Sequence, residues 1–178
     1  MAEAYVALGA NLGNREANLR MALRGMTRMA RVLTASALYE TDAVTSDDAE
    51  QPNYYNAACS IETGLEPLPL LRFLQALEHE IGRRPAAEQW APRPIDLDLL
   101  LYEDTVLDDG PLVLPHPRMA ERPFVLVPLA DIAGCVTHPV LGRTIKELAN
   151  AAGNEGVRRI RDRGWDGVAG HEPGRVRL

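Results

Sequence analysis

The chain has 178 residues, 46% of them apolar, and a formal net charge of −6. This length favours one domain with its own hydrophobic core. The acidic balance argues against nucleic acid or an anionic membrane as a partner, because both require a basic surface. No apolar run approaches the roughly 20 residues of a membrane span, and the N-terminus begins as a strand, so we expect a cytoplasmic protein.

The two cysteines carry a prediction about the compartment. Cys59 and Cys135 have no metal-ligand spacing and lie in apolar contexts. We therefore expect two buried free thiols in a reducing cytosol.

The first half of the chain predicts three strands and one helix. Residues 4–8 form a short apolar strand, and Asn14 can cap a helix whose apolar residues recur at helical spacing. Residues 32–39 and 54–63 are typical of strands. Residues 40–53 between them are polar and acidic, and connections of this length are usually functional or disordered.

The second half supplies a second helix and the fourth strand. Pro67 lies near the start of a leucine-rich helix, and Gly82 ends it. Residues 83–94 form a second long loop, and residues 95–102 form the strand. The order βαββαβ predicts an α+β, ferredoxin-like fold, in which an antiparallel sheet carries both helices on one face. We expect the other face to be open, with both long loops folding over it.

The remainder of the chain is less regular. Residues 112–114 form a short strand, residues 125–132 are apolar, and Thr144 with Glu147 indicates a capping box for a last helix. From residue 153 the chain is rich in glycine and arginine. We interpret residues 1–152 as one catalytic domain and residues 153–178 as a surface extension or frayed tail.

The fourth strand contains two aspartates separated by one leucine. Alternate side chains of a strand share a face, so Asp96 and Asp98 point the same way. The leucines point the other way, into the core: Leu97, Leu99 and Leu101. Positions two apart span roughly 6.6–7 Å, so the two carboxylates can bridge one or two hard cations. Taken alone, such a pair is more often only the wet face of a half-buried strand.

Cationic groups flank this strand. Arg93 lies between Pro92 and Pro94, which stiffen the backbone that presents its planar guanidinium. A rigid arginine beside a cation-binding pair suits polyphosphate chemistry. A lone arginine is usually just solvated, and His116 between two prolines is as often a structural turn residue. The chain has no Gly-x-x-x-x-Gly-Lys-Ser/Thr loop, so phosphate binding of the P-loop kind is not expected.

Four sequence blocks, in unbroken order over about residues 4–132, resemble one enzyme family. They are Gly9-Ala10-Asn11-Leu12-Gly13, Gln51-Pro52-x-Tyr54-x-Asn56-Ala57, Trp90-Ala91-Pro92-Arg93-x-x-Asp96-Leu97-Asp98, and Pro115-His116-Pro117-Arg118-Met119-x-x-Arg122-x-Phe124. The family is 6-hydroxymethyl-7,8-dihydropterin pyrophosphokinase. The chain departs from the family's pattern at Ala10, Gln89, Asp42 and Pro85. The last two concern the detailed shape and affinity of the two long loops.

The resemblance implies an activity and its co-substrates. Enzymes of this family move the β,γ-diphosphate of ATP onto the hydroxymethyl group of the pterin and release AMP, in folate biosynthesis. It implies two Mg²⁺ ions held by Asp96 and Asp98 and a monomeric or weakly associated chain. Asp98 is also the candidate to assist removal of the hydroxyl proton, although a metal-bound carboxylate is a poor base.

The resemblance also implies three sets of site residues. The catalytic set is Arg83, Arg93, Asp96 and Asp98. The ATP set is Gln75, Glu78, Arg83, Trp90, Arg93, Ile95, His116 and Arg122. The pterin set is Thr41, Asp42, Val44, Tyr54, Asn56, Trp90 and Phe124.

The residue types suit these roles, and structural alternatives stand beside them. Tyr54 and Phe124 would stack on the flat pterin, and Asn56 offers a donor and an acceptor to its amide-like edge. Phe124 would otherwise pack in the core. Gln75 and Glu78 would otherwise lie on a solvated helix face.

Two other functions use some of the same features. A two-metal nucleotide hydrolase or nucleotidyltransferase would use the same aspartate pair but would give other products. A non-catalytic ferredoxin-like module that binds RNA or protein is the second alternative. The acidic charge and the absence of phenylalanine from the predicted strands disfavour RNA binding.

Overall fold

The computed structural model describes residues 1–43, 50–82 and 92–168. Within them the strands are β1 (Ala2–Ala10), β2 (Ala30–Ala35), β3 (Leu38–Thr41), β4 (Tyr54–Thr63), β5 (Asp96–Tyr102), β6 (Leu107–Asp109), β7 (Leu112–Leu114) and β8 (Val157–Arg161). The α-helices are α1 (Arg15–Met26), α2 (Pro67–Ile81), α3 (Pro123–Ala133) and α4 (Ile145–Ala152), and a 3₁₀ turn covers Met119–Glu121.

The main sheet runs in the order β5-β1-β4-β3-β8, and β2 also pairs with β4. Each of these pairings is antiparallel. The predicted α+β fold is therefore confirmed. The predicted strand 32–39 is divided at Ser36, because its hydroxyl donates to the carbonyl of Ala37 and accepts the N–H of Ala58, replacing regular ladder bonds.

Local sequence signals for the helix ends are confirmed. The Asn14 side chain accepts the N–H of Ala17 at 3.1 Å and caps α1. Thr144 and Glu147 form a reciprocal capping box at the start of α4. Gly82 ends α2 with a φ of 111°, a left-handed conformation that favours glycine.

One face of the sheet packs on α1 and α2, as predicted. Leu8 of β1, Leu19 and Leu23 of α1, and Leu70 and Leu74 of α2 are 0–1% exposed and belong to one core cluster. The two helices approach closely at Gly25 of α1. A Cβ there would lie 2.6 Å from the Leu77 side chain of α2.

The other face is open only in part, which corrects the prediction. A second core cluster lies there and joins β1 and β5 to α3 and α4, with Tyr5, Leu101, Leu126, Leu129 and Leu148 buried in it. The physical reason is the apolar segment 123–133. It is hydrophobic on nearly every position, so it is stable only when it covers a sheet face.

The segment after α4 is part of the fold, so its interpretation as a frayed tail is wrong for residues 157–168. Strand β8 pairs with β3. Trp165 is only 7% exposed, lies in the first core cluster, and donates its indole N–H to the Ser36 carbonyl at 2.9 Å. The strand has an arginine-rich, largely exposed surface, so it lacks the apolar alternation that predicts strands.

The two cysteines differ in burial, which also corrects a prediction. Both are free, but only Cys59 is buried, and Cys135 is exposed after α3. Burial raises the pKa of the Cys59 thiol to about 12. In residues 1–43, 50–82 and 92–168, none of the helices has the length and apolarity needed to cross a membrane.

Candidate active site

Strand β5 presents the two aspartates as predicted. Asp96 and Asp98 are half-exposed, whereas Leu97 and Leu99 between and after them are 3% exposed and lie in the first core cluster. The predicted position of Leu101 is wrong. The register shifts between Tyr5 and Val6 of β1, and Leu101 consequently packs in the second cluster.

Cross-strand partners of three strands form one row across the sheet, with a polar side chain on each side of Gly9. Gly9 of β1 pairs with Asp96 of β5 on one side and with Asn56 of β4 on the other. A Cβ at Gly9 would lie 2.8 Å from Asn56 Oδ1 and 3.6 Å from the Tyr54 ring. Glycine has no side chain, and at this position that makes room for the two neighbours.

The Arg93 side chain lies beside the aspartates, and its backbone is fixed from β1. Arg93 Nη1 lies 3.4 Å from Asp96 Oδ1. The Asn11 side chain accepts the Arg93 N–H at 2.8 Å, and the Asn11 N–H donates to the Arg93 carbonyl at 3.0 Å. Asn18 of α1 donates to the next carbonyl, that of Pro94, at 2.9 Å. Buried amides therefore hold the backbone that carries this guanidinium.

Sequence reasoning missed Asn11 and Asn18 as supporting residues. Asn11 is 1% exposed and Asn18 is 8% exposed. An asparagine in a strand-to-helix turn usually serves the turn itself. The signal that distinguishes Asn11 is its burial, which only the structure supplies.

The turn after β7 carries His116 and is hydrogen-bonded to the strand of the aspartates. Its N–H donates to the Leu100 carbonyl of β5 at 2.9 Å. Its Nδ1 accepts the Arg118 N–H at 3.3 Å, so the neutral ring carries its proton on Nε2. Burial, and secondarily Arg122, lower the pKa of His116, against an opposing effect of Asp96. The ring is therefore an uncharged donor near neutral pH.

Arg122 completes the cationic side of the site. Burial and the neighbouring Arg118 lower its pKa, whereas Asp98 and Asp96 raise it. An arginine remains charged despite such a shift. Its guanidinium carbon lies 5.7 Å from the centroid of the Phe124 ring. Arg118 itself, an exposed residue of the same turn, was missed by the sequence assignments.

Part of the predicted pterin set comes together at the ends of β3 and β4. Thr41 is 3% exposed and pairs with Tyr54, and Asn56 Nδ2 donates to Thr41 Oγ1 at 2.6 Å. Tyr54 and Asn56 alternate with Tyr55 and so share a face. Phe124 lies at the start of α3, half-buried against the second core cluster.

Other predicted residues lie in different surroundings. Gln75 is exposed on α2, and the Ile95 side chain is 0% exposed in the first core cluster. Glu78 is only 5% exposed, so the alternative of a solvated helix face is wrong for it. Its Oε1 accepts the Leu97 N–H at 2.6 Å. Asp42 forms an ion pair with Arg158 at 3.0 Å.

Three predicted residues, Val44, Arg83 and Trp90, lie outside the described residues.

The carboxylates of this site suit Mg²⁺ better than a metal whose ligands all come from the protein. No group of three or more histidine, cysteine or acidic side chains that could hold a metal occurs in the described part of the chain. Mg²⁺ is usually bound by one or two carboxylates together with substrate phosphates and water. Asp96 and Asp98, on the same face of β5 and half-exposed, supply that number of hard oxygen ligands.

The two carboxylates, the arginines and the neutral histidine together define a candidate phosphoryl-transfer site.

The family model for 7,8-dihydro-6-hydroxymethylpterin-pyrophosphokinase matches residues 5–134. The 2-amino-4-hydroxy-6-hydroxymethyldihydropteridine pyrophosphokinase of Pseudomonas aeruginosa is 40% identical over 158 residues, which cover 88% of this chain and 95% of that protein. The enzyme of the same name from Bacillus subtilis is 44% identical over 131 residues, 72% of this chain and 77% of that protein.

Longer proteins match as well. Folic acid synthesis protein fol1 of Pneumocystis carinii is 42% identical over 146 residues, but these are 79% of this chain and only 19% of that protein. A crystal structure of Plasmodium falciparum HPPK-DHPS superposes with a TM-score of 0.71 at 17% identity, covering 89% of this chain and 46% of that one. At that identity the likeness shows the fold alone.

The chain belongs to the 7,8-dihydro-6-hydroxymethylpterin pyrophosphokinase family, the pyrophosphokinases of folate biosynthesis. The resemblance of its four sequence blocks is confirmed, and so is its assignment as an enzyme. Use of ATP follows from the family.

Proposed function

We propose that this chain transfers the β,γ-diphosphate of ATP to the hydroxymethyl group of 6-hydroxymethyl-7,8-dihydropterin and releases AMP. One observation carries the proposal. Asp96 and Asp98 share one face of β5, and the Arg93 guanidinium lies 3.4 Å from Asp96. Asp96 also acts electrostatically on His116, and both aspartates act on Arg122. Opposite charges gathered at one strand end suit a polyphosphate carried with its cations.

Asp96 and Asp98 would hold two Mg²⁺ ions. When bound, the ions neutralise charge on the oxygens of ATP during an in-line displacement. Two carboxylates alone are too few ligands for a closed metal site, which supports sharing of the ions with the substrate phosphates.

Arg93, His116 and Arg122 would bind the phosphates in different ways. Arg93 offers a planar fork, and its backbone is held by two hydrogen bonds with Asn11. Neutral His116 donates one hydrogen bond from Nε2 without adding charge. Arg122 supplies a second positive charge that interacts electrostatically with Asp98 and Asp96. Such prearranged donors lower the barrier because they need no reorganisation during the reaction.

Asn56 would recognise the pterin, with Tyr54 and Phe124 stacking on its ring. The bond from Asn56 Nδ2 to Thr41 Oγ1 fixes which way the amide points. Asn56 Oδ1 and the second amide hydrogen then remain to match the acceptor and donor pattern of the pterin edge. Thr41 and Asp42 would complete this end of the site, together with Val44 and Trp90.

Further residues would take part in binding the nucleotide and its phosphates. Arg83 would act with Arg93 on the transferred phosphates, and Gln75, Glu78 and the backbone of Ile95 would lie near the nucleotide. The chain would act as a monomer in the cytoplasm. The free thiols of Cys59 and Cys135 support a reducing compartment.

Product analysis tests the proposal. The chain is incubated with ATP, Mg²⁺ and the reduced pterin, and the products are separated by chromatography. We expect AMP and pterin diphosphate in equal amounts, and neither product without the pterin. Release of ADP, phosphate or diphosphate would instead identify a kinase, hydrolase or nucleotidyltransferase.

A further inference from the structure

Four side chains of alternating charge lie close to the end of β3, where Thr41 pairs with Tyr54 at the start of β4. We call them the charge chain, which consists of Asp42, Arg158, Glu40 and Arg15. Arg158 lies 3.0 Å from Asp42 and 3.5 Å from Glu40. Arg15 lies 3.5 Å from the other carboxylate oxygen of Glu40. Glu40 thus shares its two oxygens between two arginines.

Glu40, the middle of the charge chain, points to the opposite face of the sheet from Thr41. Glu40 directly precedes Thr41 in β3, and successive side chains of a strand point to opposite faces. Glu40 pairs with Tyr55, and the Arg15 guanidinium lies over the Tyr55 ring at 3.9 Å. Arg158, Glu40 and Arg15 therefore influence Thr41, Tyr54 and Asn56 only through the backbone of β3 and β4.

The charge chain connects the ends of neighbouring elements. Arg15, at the start of α1, donates to the Asn53 carbonyl at 2.6 Å, immediately before Tyr54. On the other side, the Asp42 N–H donates to the Gly156 carbonyl at 3.2 Å, and Thr41 pairs with Val157. The end of β3, the entry to β4 and the start of β8 are consequently joined at this one place.

We propose that the charge chain positions the pterin-binding strand end, and that Arg158 of β8 is its central positioning residue. The inference rests on the proposed function, since it assumes that Thr41, Tyr54 and Asn56 receive the pterin. Arg158 makes both of its ion pairs with residues that flank Thr41. Its loss should therefore change the affinity for the pterin and not the rate of phosphate transfer. The segment after α4 thereby contributes to substrate recognition without contacting the substrate.

Steady-state kinetics of Arg158→Gln and Glu40→Gln test the proposal, with KM measured separately for the pterin and for ATP. Because exposed ion pairs each contribute little, we expect the KM for the pterin to rise by about two- to tenfold. We expect unchanged kcat and an unchanged KM for ATP. Arg158→Lys retains the charge and should recover part of the loss.

Ionic strength gives a second readout that a merely structural role would not move. The pterin is uncharged near neutral pH, so its own binding is insensitive to salt. Screening of the charge chain between about 0.05 M and 0.5 M salt should raise the KM for the pterin in the unsubstituted chain. The same increase should be missing in Arg158→Gln, while salt affects the KM for ATP equally in both.

Arg31→Gln is the matched control. Arg31 forms an equally exposed cross-strand pair with Glu62 at 3.0 Å, on β2 and β4 at the other end of the sheet. It should leave both KM values unchanged. An unchanged KM for the pterin in Arg158→Gln and Glu40→Gln, or equal changes for both substrates, would overturn the proposal. If Arg158→Gln does not fold, Glu40→Gln and the salt dependence decide.

The two proposals fail in different ways. If the unsubstituted chain forms no pterin diphosphate, the proposed function fails and this inference fails with it. If that chain is active and the Arg158 and Glu40 variants bind the pterin as it does, only this inference fails.

Discussion

The buried carboxylate of Glu78 accepts the N–H of Leu97 at 2.6 Å, and Leu97 lies between the two aspartates of the site. Helix α2 therefore holds β5 at the one position that separates Asp96 from Asp98. An edge strand has unpaired backbone groups on its outer side, and here a side chain from a helix satisfies one of them. The carboxylate pair is thus anchored by a hydrogen bond as well as by its leucines.

Removal of the Glu78 acceptor should destabilise the fold and loosen the site. In Glu78→Ala the Leu97 N–H loses its partner, which costs about 1–3 kcal/mol. Glu78→Gln retains an oxygen acceptor and should lose much less. Chemical denaturation measures both variants. If Glu78→Ala were as stable as Glu78→Gln, the hydrogen bond would not anchor the strand.

Substitution of Gly9 should impair pterin binding before it impairs folding. In Gly9→Ala the new methyl group would lie 2.8 Å from Asn56 Oδ1, so the amide must move. We expect a KM for the pterin raised by at least about tenfold, corresponding to roughly 1.4 kcal/mol, and a nearly unchanged KM for ATP.

Gly64→Ala is the control for that experiment. Gly64 follows β4, and a Cβ there meets only the Met1 sulfur at 3.6 Å, an ordinary contact. It should bind both substrates as the unsubstituted chain does. Equal behaviour of Gly9→Ala and Gly64→Ala would show that the space at Gly9 has no role in binding.

Proton uptake at His116 should make the fold less stable in mild acid. Burial, more than Arg122, holds its pKa below the ordinary value of 6.5, so the unfolded chain binds a proton that the folded chain does not. Stability due to this group is complete above pH 6.5 and is lost as the pH falls below it. The free energy of unfolding of His116→Gln should therefore decline less steeply below pH 6.5. His138, whose pKa is also lowered by burial, remains in both proteins and keeps part of the slope; identical slopes would contradict the prediction.

Truncation of the buried Trp165 side chain should destabilise the whole sheet. Trp165→Ala leaves a cavity in the first core cluster, and such changes cost about 3–5 kcal/mol. Trp165→Phe retains most of the volume but loses the bond to the Ser36 carbonyl, so its cost should be smaller. Thermal and chemical unfolding measure both. A stability unchanged in Trp165→Ala would mean that residues 157–168 are dispensable for the fold.

Much of the fold was predictable because its signals are local. The cap at Asn14, the left-handed glycine at Gly82 and the alternation around Asp96 and Asp98 each depend on a few neighbouring residues. Leu101 was misassigned because three consecutive leucines are compatible with either face, and the register shift that decides depends on pairing with β1.

The other differences between the predicted and the observed structure come from long-range packing. Strand β8 has few apolar residues, and its arginines find acidic partners only after the chain has folded. Asn11 and Glu78 likewise make their decisive hydrogen bonds to residues 82 and 19 positions away. No pattern within one segment predicts such partners.

The catalytic requirement for Asp96 and Asp98 is the most direct test of the whole account. Turnover of AMP and pterin diphosphate is measured for Asp96→Asn, Asp98→Asn and the control Asp108→Asn, whose aspartate is exposed on β6. Loss of a metal ligand removes several kcal/mol of transition-state stabilisation, so we expect kcat to fall at least about a hundredfold in the first two, with intact folding, and to be unchanged in the third. Near-normal turnover of Asp96→Asn or Asp98→Asn would contradict the assignment of the paired carboxylates as the metal-binding centre.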